Sequence, residues 1–301
     1  MHRLEGEAHG LVGRLPDLLV EAMRVSNTIA HGIHGRRRPG PGETFWQFRQ
    51  YEQTDSAHQI DWRRSASSDH LYIREREWEA AHTFWLWANT SASMDFRSDL
   101  SATPKRDRAI VLLLAAAELL VSGGERVALL GLTRPSASRH TSRRMAETLA
   151  ASMDLPAMQR SLPQSERLAR FSGVVLISDF LDPPDEIAST IEKLAGNNVT
   201  GHLIQVLDPA EETLPYDGRA EFLSPAGGQR WLADRVETLR DAYLAKFASH
   251  RAAVTEHARR LGWNVIVHHT DRSATEPLLN LIVRLQNSGR GALASRAGGL
   301  A

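Results

Sequence analysis

The sequence predicts an α/β protein built on a mostly parallel sheet with helices on both faces. Three observations predict it. Strand-like and helix-like patterns alternate from Thr83 onward, the order that makes parallel sheets. Residues 173–177, Gly-Val-Val-Leu-Ile, are a short apolar run with no polar member, the pattern of a strand buried on both faces. Residues 83–88, Thr-Phe-Trp-Leu-Trp-Ala, are aromatic-rich and stop abruptly at Asn89, Thr90, Ser91, Ala92 and Ser93. A second buried strand therefore ends in a tip of amide and hydroxyl groups.

Taken in order, residues 11–29 space Leu15, Leu18, Leu19, Ala22 and Met23 as on a helix face. Residues 32–42 hold Arg36, Arg37, Arg38 and two prolines and read as a charged, solvated loop. Strands are expected at 43–51 and 71–77. The segment between them, with Asp55, His58, Asp61 and Trp62, reads as a loop tied down by charge-assisted bonds, with Trp62 over an apolar edge. A helix follows over 105–121, with Pro104 before it and Gly123-Gly124 closing it. A strand at 126–132, a turn-rich link at 133–140, a helix at 142–152 and a short helix at 166–171 complete the first half. Beyond 173–177, a helix at 185–195, a strand at 199–207, a hairpin at 221–223 and 229–231, a long helix at 232–261, a strand at 263–268 and a helix at 276–285 are expected. The Gly-, Ala- and Ser-rich residues 286–301 read as a disordered tail. The domain reading is thus 1–78 for an N-terminal helix and small β module packed on the main domain, and 79–285 for the α/β domain.

Composition excludes several classes. The 301 residues are 42% hydrophobic and 24% charged, enough for a sizeable core. Lys plus Arg equals Asp plus Glu at 36 each, so there is no general electrostatic hold on nucleic acid. Cysteine is absent, which removes disulfides, thiolate catalysis and cysteine metal sites. No apolar run reaches the roughly 18–20 residues of a membrane span, and no signal-peptide pattern opens the chain. A soluble, cytoplasmic protein is the expectation.

Asn-Thr-Ser-Ala-Ser-Met at 89–94 is similar to the Asp-x-Ser-x-Ser motif of the metal-ion-dependent adhesion site of von Willebrand factor A domains. The preceding residues Gly40, Gly42-Glu43, Phe45, Arg49-Gln50-Tyr51, Asp55, Ile60-Asp61-Trp62, Ser65-Ala66 and Leu71 to Glu75 resemble the signature of the bacterial domain-of-unknown-function 58 family. The resemblance runs from about residue 30 to about residue 285. It implies a von Willebrand A-like (Rossmann-type) sheet. It also implies a non-enzymatic adaptor working with a MoxR-type AAA+ ATPase in chaperone-like assembly or maturation of a partner complex.

The resemblance also implies a divalent-metal site. Asn89, Ser91, Ser93 and Asp179 would be its ligands, with Mg²⁺ or Mn²⁺ as the ion that suits hard oxygens. Asn89 stands where the motif has aspartate, which removes one negative charge. The middle threonine of the pattern has five competing counterparts, Thr133, Ser136, Ser138, Thr141 and Ser161, and Asp95 is a candidate to restore charge. The same residues are ordinary turn formers and caps. A metal-dependent hydrolase using this rim is the alternative reading. It requires a base beside Ser91, and His82 lies at the far end of the same strand. His268-His269 reads as one core and one outward side chain.

Overall fold

The computed structural model describes residues 2–33, 45–51, 60–68, 70–76, 81–153, 155–164, 166–225 and 227–285. The strand and helix patterns become α1 (His2–Ile33), β1 (Phe45–Gln50), α2 (Trp62–Ser65), β2 (Tyr72–Arg76), β3 (Thr83–Ala88), α3 (Lys105–Ser122), β4 (Arg126–Leu129) and α4 (Thr141–Ser152). They continue as β5 (Gly173–Ser178), α5 (Pro184–Leu194), β6 (Thr200–Leu207), α6 (Pro209–Thr213), β7 (Ala220–Leu223), β8 (Arg230–Ala233), α7 (Arg240–Arg260) and β9 (Asn264–His269). A last helix, α8, spans 275–285.

Five strands form one sheet in the order β4-β3-β5-β6-β9, and every neighbouring pair is parallel. Alternation sorts its side chains into two cores. Val175 and Ile177 of β5, with Leu86, Ile204 and Ile266, face α1, α3, α4 and α8. Val174 and Leu176, with Trp87, Leu203 and Trp263, face α5 and α7. Period-2 side-chain direction is the cause. Gly173 and Gly201 leave room for neighbouring rings: a Cβ at 201 would lie 1.9 Å from the indole of Trp263.

Helix α3 explains the place of α1. Residues Ala109–Ala117 are fully buried, and a helix apolar all round needs cover on every side. The sheet covers one side. Leu15, Leu18, Ala22, Val25 and Ile29 of α1, spaced three and four apart, join the same core. Met1–Ile33 consequently belongs to one compact unit with His82–Ala301, while His34–Ala81 forms a second. The sequence groups α1 with the β module; packing places it with the sheet.

In the smaller unit β1 and β2 pair antiparallel, with Gln50 opposite Tyr72. Asp61 caps α2 by accepting from Arg64 N–H at 2.9 Å. Ser65 Oγ accepts from Tyr72 N–H at 2.9 Å, so Asp61 and Ser65 serve the backbone. Trp62, expected over an apolar edge, is 65% exposed. Asp55, His58, the arginine run 36–38 and residues 286–301 lie outside the described residues.

Two helix expectations need correction. Residues 166–171 are irregular: Phe171 has a positive φ of 62°, and Asn197 Nδ2 donates to the Leu168 carbonyl at 3.1 Å. The long helix begins at Arg240 rather than 232, because Leu232 and Ala233 pair with Glu221 and Ala220 in the β7–β8 hairpin.

Candidate functional site

The chain leaves β3 toward β4 on one side and later enters β5 on the other. This is the topological switch point, where open α/β sheets place their sites beyond the strand carboxyl ends. Asn89 and Asp179 follow these two strands directly, and Asn89 N–H donates to the Ile177 carbonyl at 2.8 Å. The structure therefore brings the two expected strand ends side by side.

Asn89 is fully buried. Its Oδ1 accepts from Ser91 N–H at 2.9 Å, and its Nδ2 donates to Ser178 Oγ at 3.0 Å. Ser178 Oγ donates to Asp179 Oδ1 at 3.3 Å. Ser91 is buried, and its hydroxyl lies 3.2 Å from that of the half-buried Ser93. Asp95 pairs with Arg106 at 2.5 Å, so its charge is already matched.

Asp179 is 1% exposed and has a cation beside it. Lys105 Nζ, itself 1% exposed, donates to Asp179 Oδ2 at 3.0 Å and also to Glu211 Oε1. Burial by itself lowers the Lys105 pKa, but Asp179 and Glu211 together hold it above its ordinary value. Burial pushes the Glu211 carboxyl up, and Lys105 offsets this only in part. Glu211 Oε2 accepts from Asp208 N–H at 2.9 Å, one half of a capping box on α6. Asp208, fully buried, also holds the loop after β3 through Ser98 N–H at 2.9 Å and Ser98 Oγ at 2.5 Å. One hydrogen-bonded chain thus links the carboxyl ends of β3, β5 and β6.

The five hydroxyl candidates for the middle ligand are engaged elsewhere. Thr133 Oγ1 accepts from Leu129 N–H at 2.8 Å. Thr141 donates to the Ser138 carbonyl at 2.6 Å and lies 3.2 Å from Ser136 Oγ. Ser138 Oγ accepts from His140 N–H at 3.3 Å. Ser161 donates to Asp182 at 2.5 Å. As it stands, this donor set does not fit a divalent cation. An ammonium is already bonded to the Asp179 carboxylate, where a cation would sit.

Nothing in the described hydrogen bonding of Ser91 supplies a base. His82 lies at the opposite end of β3, where its backbone N–H donates to Glu125 at 2.7 Å. His268 is 3% exposed, while the half-buried His269 pairs with Glu212, as alternation predicts.

Lys105, Ser178, Asp208 and Glu211 were not among the expected site residues. A signal for Lys105 exists: Lys105-Arg106-Asp107-Arg108 opens a helix that has no solvated face to receive four charges. Asp208-Pro209-Ala210-Glu211 likewise carries the spacing of a capping box.

The family model described as "Protein of unknown function DUF58" matches residues 47–253. The chain belongs to that family. A relative described as "Uncharacterized protein Rv1480" of Mycobacterium tuberculosis is 29% identical over 279 residues, covering 88% of this chain and 86% of that protein. A protein of Mycobacterium bovis, Mb1516, matches equally. Among solved structures, this DUF58 chain is similar to BatB of Bacteroides thetaiotaomicron, with TM-score 0.40, 11% identity and cover of 69% and 100% of the two chains. It is also similar to the SpRpn10 VWA domain, with TM-score 0.34, 9% identity and cover of 67% and 95%. Such distant likeness says nothing of site or partner. No helix among the described residues is long and apolar enough to cross a membrane.

Proposed function

We propose that this DUF58 chain is a non-enzymatic protein-interaction module whose docking face is the carboxyl-end rim of the sheet. One observation carries the reading. The two loops that leave β3 and β5 expose Phe96, Leu100 and Leu181, above a polar network whose hydrogen bonds close within the chain. Apolar side chains on a rigidly held rim suit protein docking. A catalytic site would instead expose its polar groups to a substrate. The family resemblance makes the finer partner a MoxR-type AAA+ ATPase, with this chain as its adaptor.

The test uses purified full-length chain and a MoxR-type ATPase from the same genome. Leu100→Asp and Leu181→Asp weaken binding by more than about tenfold, as loss of an interface anchor does. Val20→Asp, on the exposed face of α1, leaves binding unchanged. Equal binding by all three variants removes the rim from the reading. No binding by the parent chain removes this class of partner.

A further inference from the structure

We propose that the Lys105 ammonium is a tethered counter-ion that takes the place of a divalent cation at this rim, so that the site keeps its shape without metal. The argument is independent of whether the rim docks a partner.

An ammonium has three donors and no acceptor. Two of the Lys105 donors go to carboxylates from adjacent strand ends, Asp179 after β5 and Glu211 after β6. The Phe96 ring closes another side, its centroid 5.8 Å from Nζ, a distance at which a ring face attracts a cation. The buried charge therefore faces two carboxylates, the kind of oxygen donor a divalent ion takes. It is delivered by the first residue of α3, a helix locked in the core, so no ion has to be recruited from solution.

Asn89 supplies the second, separate observation. An aspartate there would offer only acceptors. It would compete with Asp179 for the single proton of Ser178 and add a third negative charge to a network that holds one ammonium. The amide instead donates Nδ2–H to Ser178 at 3.0 Å, leaving the Ser178 hydroxyl to donate to Asp179. The change from carboxylate to amide and the presence of Lys105 are two parts of one arrangement. A monovalent cation replaces a divalent one, and one carboxylate fewer is needed.

The test is titration with Mn²⁺, read by loss of the free-ion paramagnetic resonance signal and by calorimetry. It uses the full chain, Lys105→Ala, and Lys105→Ala combined with Asp179→Asn. The native chain is expected to bind no Mn²⁺ at millimolar metal, and its melting temperature does not move with metal. Lys105→Ala melts lower without metal, binds one Mn²⁺ per chain and recovers melting temperature on binding. The double variant loses that site. Asp179-dependent Mn²⁺ binding by the native chain overturns the inference. So does a folded Lys105→Ala that binds none. A Lys105→Ala chain that fails to fold even with Mn²⁺ also overturns it, because the ion should stand in for the ammonium.

Discussion

Acid should destabilise this protein through two core histidines, before most carboxylates titrate. His202 on β6 and His268 on β9 are 1% and 3% exposed, and neither His202 ring nitrogen has a hydrogen-bond partner among the described residues. Burial, helped by Arg284, lowers the His202 pKa from 6.5 to about 4. Burial, helped by Arg108 and His269, lowers the His268 pKa to about 3. The unfolded chain takes up protons below pH 6.5 and the folded chain does not, so stability falls as pH drops from about 6.5 toward these lower values. Between pH 7 and pH 5 each ring costs roughly 2 kcal/mol, and the pair roughly 4 kcal/mol. Burial also raises the pKa of Asp107, Asp182 and Glu211. These carboxyls bind protons earlier when folded, which offsets part of the loss. Urea melts of the native chain and of His202→Gln at both pH values, at fixed ionic strength, isolate the histidine share. The variant should lose about half of the histidine-driven slope. Equal slopes for the two chains would refute the reasoning.

Three further outcomes are expected. Gly201→Ala places a methyl 1.9 Å from the Trp263 ring, which is 4% exposed and donates through Nε1 to the Val199 carbonyl at 3.1 Å. It should cost about 1–3 kcal/mol in denaturant midpoint measurements, because that ring has no free direction. Leu18→Ala, at the α1 face that covers α3, should cost about 2–4 kcal/mol, while Val20→Ala two residues on, 66% exposed, stays within about 0.5 kcal/mol. Asp208→Ala removes the α6 cap and both holds on Ser98. It should cost about 2–4 kcal/mol and speed amide exchange at Ser98.

The strands beneath the site were legible because burial on both faces leaves an apolar run with nothing else to be. β3 falls at 83–88 as expected, and the expected 173–177 gains only Ser178. The strand ends identify Asn89 and Asp179, and sheet order makes them neighbours. What sequence does not carry is the partner of Asp179. Lys105 lies 74 residues from Asp179 and 106 residues from Glu211, and a charged first turn ordinarily points to solvent. α6 escaped because five residues show no period. The fate of 166–171 turned on Asn197, a partner 29 residues from Leu168 that no local pattern announces.

The discontinuous unit sets a schedule for synthesis. α1 precedes α3 in the chain, and the helix it must cover is complete only at Ser122, after residues 34–81 have been made. Emergence of the intervening 89 residues, 33 to 122, takes on the order of 4–18 seconds at about 5–20 residues per second. Throughout that interval Leu15, Leu18, Ala22, Val25 and Ile29 lack the α3 surface they cover in the fold. α1 emerges with its apolar face uncovered, and its capture by α3 is the event that completes this core.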